Sequence, residues 1–316
     1  GFVALAINSL LPQPTVTAIL LLATWDGFFG ALGVSALMAS MPHIVGRENL
    51  MHASALGMMT ARFATIVSPA LGGVIIAAAG VTWNYALAAF GTLLTVLTLL
   101  RLPSMVPERH EVDHPLRMLG QAFSFVFSQR LILALFAAGT LMTLTSSIRI
   151  LFPALATGAY GGGAFETGLM YSAVPAGATV GAILSGWART LEKPEAVMIG
   201  LTMLAFACVV LLGNVGNVYF ALPALAIYGY ATAVASLLQY TMIQAATPDN
   251  YLGRVNSLWS AQDTLGDIAG ALALGGLAQM LAPAQSVIVL GVTAIVLSVL
   301  LAGVFRVHAN SMRTAT

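Results

Sequence analysis

The chain has 316 residues, of which 59% are hydrophobic and only 7% charged, with a formal net charge of +1. Soluble domains carry roughly 25% charged residues, so this chain lacks the polar surface that a water-facing fold requires. The near-neutral balance also excludes the basic footprint of a nucleic-acid-binding protein.

Gly1 opens the chain, and only eleven residues precede Pro12. A helix needs about 20 residues to cross a bilayer, and no charged segment of a signal peptide is present. Residues 1–11 therefore read as the end of a helix whose beginning is missing. Nine complete apolar spans follow, bounded by Pro, Gly or charge, at 15–40, 51–79, 82–101, 130–157, 165–187, 195–213, 217–245, 255–281 and 284–306. Cys208, the single cysteine, lies inside one of these runs and reads as a small core residue. His43, His52, His110, His114 and His308 sit at loops and span ends without ligand spacing, so neither metal nor cofactor is expected.

The connections between spans fall into two alternating sets. Those at 12–14, 80–81, 158–164, 214–216 and 282–283 contain no Lys or Arg. The other set, with its span ends, holds Arg47, Arg101, Arg109, Arg117, Arg130, Arg189, Lys193, Arg254, Arg306 and Arg313, ten of the twelve basic residues. That bias predicts that the basic loops and the C-terminus face the cytoplasm. The one long connection, 102–129, is predicted to be a cytoplasmic linker. Leu116, Leu119, Phe123 and Phe127 recur in it at helical spacing, which predicts a helix over Pro115–Phe127 lying on the membrane surface.

A short motif occurs twice. Gly46, Arg47 and Asn49, after Pro42, recur as Gly253, Arg254 and Asn256, after Pro248, at a constant offset of 207 residues. Both copies are expected in cytoplasmic loops, acting as hinge or anchor. Six spans separate them, an even number, so the chain reads as two parallel halves related by an axis along the membrane normal. Six spans after the linker imply six before it, and twelve in the intact protein.

Two parallel six-helix halves joined by a cytoplasmic linker resemble the major facilitator superfamily. The strings W-D-G-F-F (25–29), V-G-R-E-N-L-M (45–51), W-N-Y-A-L-A-A-F-G-T (83–92), S-L-L-Q-Y-T-M (236–242) and L-G-R-V-N-S-L-W-S-A-Q (252–262) together resemble its siderophore-exporting branch. The resemblance implies an all-α membrane fold. Residues 1–101 would then be the remainder of the N-terminal bundle (helices three to six), 102–129 the linker, and 130–316 the C-terminal bundle (helices seven to twelve) and tail. Ser68-Pro69-Ala70-Leu71-Gly72-Gly73 resembles the proline-glycine motif of superfamily antiporters, with Ser68 where Gly is usual. Pro69 removes a backbone hydrogen bond and bends a helix, and Gly72 and Gly73 allow a close neighbour, whether for motion or simply for packing.

Five charged residues fall inside predicted spans: Asp26, Arg62, Arg149, Asp263 and Asp267. A charge at the bilayer centre costs about 2.5–3.5 kcal/mol on insertion scales, so each is expected to face the bundle interior or a water-filled cavity. Asp26 and Arg62 lie at matching depth from the first motif copy, which predicts an ion pair, either a helix tie or a switch opened by protonation. Asp263 and Asp267 are four residues apart on one face, and two close carboxylates resist joint ionisation, a property suited to a proton carrier. Arg149 either snorkels outward as an anchor or attracts an anionic substrate. The resemblance makes the seventh and tenth helices cavity-lining, which adds Gln239, Tyr240 and Gln244 as substrate contacts. The alternative is that these three only bond neighbouring helices. Tyr240 could stack on a catechol ring, whereas Trp259 reads as a packing residue.

The expected function is a proton-coupled exporter, not an enzyme, working as a monomer in the bacterial inner membrane in contact with lipid. The resemblance implies a catecholate, enterobactin-like siderophore as substrate. Asp26, Asp267 and Asp263 would carry protons, with Arg62 and Arg149 offsetting charge on carboxylates or substrate. A broader drug or macrolide efflux pump of the same fold, or an inactive fragment of such a transporter, are the alternatives.

Overall fold

The structure is a computed structural model that describes residues 1–46, 49–101 and 124–313. The described residues form helices joined by short turns, with no strand among them. They fall into two compact units, divided between His110 and Glu111.

The first unit contains α1 (Phe2–Ser9), α2 (Val16–Val45), α3 (Leu50–Ala79) and α4 (Val81–Leu99). α1 packs on α4, where the Ser9 and Thr82 hydroxyls meet at 2.7 Å. The buried Asn8 side chain binds both backbone groups of Thr15, fixing the turn into α2. α3 and α4 are separated by Gly80 alone, whose φ of 87° is left-handed, a region that favours glycine at so sharp a reversal. α3 runs as unbroken helix through Pro69. A Cβ on Gly72 would meet the Asn84 side chain of α4 at 3.4 Å, and Gly73 is buried.

The second unit begins with a helical stretch over 124–128 and continues with α5 (Arg130–Ser146), α6 (Ala164–Leu184), α7 (Pro194–Asn214), α8 (Val218–Ala246), α9 (Asp249–Met280) and α10 (Pro283–Arg313). Proline opens α7 and α10, where a missing N–H costs nothing. Asn217 caps α8 by accepting from the Tyr219 N–H at 2.8 Å. Beyond Ser146, α5 leaves regular α geometry. It tightens to 3-10 turns over Ser147–Leu151, passes a short α turn, and widens to a π turn over Leu155–Ala159. The core is apolar and close-packed, with Leu135, Phe152, Met170, Phe206 and Leu225 fully or almost fully buried and Cys208 among them as a free thiol. Glycine sets the closest approach. On α6, a Cβ at Gly177 would strike the Ala226 carbonyl of α8, so the two backbones touch.

All nine expected spans are helical. Eight of these nine, in α2–α8 and α10, are long and apolar enough to cross a membrane; among the nine the exception is α9. At 32 residues it is about 48 Å long, ample for a bilayer, but Asp249, Arg254, Asp263 and Asp267 interrupt its apolarity.

Three expectations need correction or fall outside the described residues. The second motif copy is not a loop. Gly253, Arg254 and Asn256 lie in the first turns of α9, because Pro248 caps the helix and starts it before the motif. The first copy does divide two helices. Gly46, at φ 76°, ends α2, and the Asn49 side chain, at the start of α3, donates back to the Val45 carbonyl at the end of α2 at 3.2 Å. Arg47 and the linker segment 102–123, most of the predicted surface helix, lie outside the described residues. The predicted Asp26–Arg62 ion pair is also absent among the described residues. Equal spacing from the motif does not fix direction: Arg62 is exposed, while the Asp26 carboxylate lies against Gly1 beside the start of α1.

Candidate functional site

The charged centre of the second unit lies where α5 and α9 cross. Gly266 and Gly270, one turn apart on α9, bring the two backbones together. A Cβ at Gly266 would strike the Thr143 side chain, and one at Gly270 would strike the Leu144 carbonyl and approach Ser147 Oγ to 2.8 Å. Asp267 follows the first of these glycines and is carried into reach of α5. Its Oδ2 lies 2.5 Å from Arg149 Nη2, and its Oδ1 accepts from the Ser146 hydroxyl. Both carboxylate oxygens are thus engaged, one by a charge and one by a neutral donor. Arg149 stands in the 3-10 segment, and its own carbonyl accepts from the Tyr171 hydroxyl of α6 at 2.8 Å. This ties the irregular end of α5 to a second neighbour.

The Arg149 and Asp267 side chains are 54% and 40% exposed, so the pair is not sealed in the packed core. Asp263, one turn before Asp267 on the same face, is exposed and forms no ion pair among the described residues. The paired spacing read from the sequence therefore yields one tethered carboxylate and one free one.

The residues expected on α8 separate into different roles. Gln239 is buried and donates to the Leu135 carbonyl of α5 at 2.9 Å, a tie between helices. Tyr240 is half-buried, its ring 5.0 Å from that of Trp259 on α9 at a tilt of 48°. Gln244 is exposed near the end of the helix. At the start of α9, Tyr251 stacks on Phe125 at 4.6 Å, and Arg254 lies 5.6 Å from the Tyr251 ring centre. Tyr251 thus joins the 124–128 stretch to α9, with the Arg254 cation beside the same ring.

Sequence reasoning missed Ser146, Tyr171 and Gln262. Ser146 stands one turn before Arg149, and the spacing Gly266-x-x-x-Gly270 around Asp267 marks a helix contact. Together these signals could have located the α5–α9 crossing.

Comparison with known proteins agrees with this architecture. The profile of a family described as "Transmembrane secretion effector" matches residues 2–315. The chain is 44% identical over 301 residues to Enterobactin exporter EntS of Citrobacter koseri, covering 95% of this chain and 72% of that protein. The proteins of that name from Shigella boydii and Escherichia coli match at the same identity and coverage. A near end-to-end profile match on a bundle of apolar helices leads to one assignment: the chain belongs to the transmembrane secretion effector family of the major facilitator superfamily, whose members are multi-pass membrane transporters.

Proposed function

We propose that this protein is a proton-coupled exporter that moves a catecholate siderophore out of the cytoplasm by alternating access. The observation that supports the coupling is the Arg149–Asp267–Ser146 cluster where α5, a candidate membrane span, crosses α9. A carboxylate held by one cation and one hydroxyl has two stable conditions. Ionised, it holds Arg149; protonated, it releases that charge and weakens the crossing of α5 and α9. A proton drives a cycle only if it binds the alternative conformations unequally, and a carboxylate whose partner lies on a neighbouring helix meets that requirement. The exposed Asp263 adds a second proton acceptor one turn away. In this reading Arg62, Tyr240 and Gln244 meet the substrate, Asp26 is an accessory proton site, and the basic loops face the cytoplasm. The substrate class follows the relatives' name, enterobactin exporter, together with 44% identity over nearly the whole chain.

The test is complementation. The intact protein, expressed in a strain lacking its siderophore exporter, should restore secreted catecholate. Absence of rescue despite normal membrane levels overturns the siderophore reading.

A further inference from the structure

Between the Asp267 cluster and the start of α9 lies a second polar feature with no role so far. Asn256 Oδ1, Trp259 Nε1 and both amide atoms of Gln262 are buried without a hydrogen-bond partner. They follow one another along α9 at heights about 4.5 Å apart. Because both atoms of the Gln262 amide are unpaired, its orientation makes no difference. The facing wall is bare backbone. A Cβ at Gly139 of α5 would collide with the amide nitrogens of both Gln239 and Gln262. Tyr240 of α8 closes the side against Trp259.

An unpaired buried polar group loses its water and gains nothing in return, so nearly all such groups in folded proteins have partners. Four unpaired atoms within two turns of α9, two of them on Gln262 beside α5 and one on Trp259 beside α8, mark a place where the polar groups of a ligand would find partners. The missing partner must supply an acceptor for the Trp259 N–H, a donor for the Asn256 oxygen, and both kinds for Gln262. It must also be flat enough to separate the Tyr240 and Trp259 rings and stack on them. A carboxamide on an aromatic ring has this set of groups.

We propose that the seam formed by Gln239, Tyr240, Asn256, Trp259 and Gln262 opposite Gly139 is a binding site for a planar aromatic amide, opened when α9 tilts from α5 and α8. This rests on the exporter reading above and specifies the part of the substrate that α9 recognises.

A site kept at the expense of packing has a distinctive response to mutation. Gln262→Met keeps the volume and removes the unpaired amide, so it should raise the unfolding temperature of the purified protein while weakening ligand binding. The probe is dihydroxybenzamide, measured by equilibrium binding to protein in lipid nanodiscs, with cyclohexanecarboxamide as the non-aromatic comparison. Wild-type protein should bind dihydroxybenzamide and not cyclohexanecarboxamide. Gln262→Met should weaken binding by roughly tenfold, the loss of one or two hydrogen bonds. Trp259→Phe, which keeps a ring and deletes the N–H, should weaken it several-fold with little change in unfolding temperature. The proposal is overturned if wild-type protein does not bind the probe, if Gln262→Met lowers the unfolding temperature, or if neither variant changes affinity. Gln262-dependent binding without catecholate export would support the seam and sink the siderophore reading. Export with binding indifferent to both substitutions would do the reverse.

Discussion

Arg149 and Asp267 are 118 residues apart in sequence and 2.5 Å apart in space. Their meeting depends on two glycines that let α9 approach α5, and on the irregular turns that carry Arg149 past the end of regular α5. The ion pair is therefore a property of a helix crossing, and perturbing either the charges or the crossing should affect the other.

The two charges should be energetically coupled. Arg149→Met leaves Asp267 without its cation and should cost about 1–2 kcal/mol, between the limits for exposed and buried pairs. Adding Asp267→Asn should recover most of that loss, since an amide needs no counter-charge. Thermal unfolding of the two single variants and the double variant measures the coupling. Simple additivity would show that the pair contributes nothing.

Proton dependence should follow Asp267 more than Asp26. Asp267→Asn keeps the acceptor oxygen for Ser146 but cannot titrate, so export driven by an imposed pH gradient should fall to background. Asp26→Asn should cause a smaller loss, because Asp26 has no cationic partner among the described residues. Transport in proteoliposomes with and without the gradient distinguishes them, and equal losses would contradict this ranking.

The glycines at the crossing should be intolerant of side chains. Gly270→Ala places a Cβ against the Leu144 carbonyl, backbone that cannot rotate away, and should destabilise by about 1–3 kcal/mol. Gly275→Ala on the same helix meets nothing within 4 Å and should be neutral or slightly stabilising. Unfolding temperatures of the two variants, measured side by side, give the comparison.

Docking of the 124–128 stretch on α9 should depend on Tyr251. Tyr251→Ala removes both its stacking with Phe125 and the ring beside Arg254. Proteolytic cleavage near residue 124 should become several-fold faster, while the unfolding temperature of the unit changes little. Arg254→Lys keeps a cation over the ring and should show a smaller effect.

The helices were largely legible in the sequence, because burial in lipid demands long apolar runs and satisfied backbones, a constraint that acts locally. The span limits fall within several residues of α2–α10 once the 3-10 and π turns that extend α5 to Ala159 are counted, and Cys208 lies in the core. The repeat misled in one respect. Identical residues flank a helix start in both copies, yet Pro248 begins α9 before the motif, whereas Gly46 ends α2 inside it. A motif of three residues does not specify on which side of a cap it will fall.

The sequence by itself determined which residues are costly in a membrane, and at what height along each helix they stand, since rise per residue is fixed. Tertiary structure alone decided which neighbour answers each of them. Asp26 and Arg62 share a height and do not pair, whereas Asp267 finds Arg149 and Ser146 because glycine contacts set how closely α5 and α9 approach and how they are turned. Spacing along a chain specifies a face of a helix; only packing specifies what that face meets.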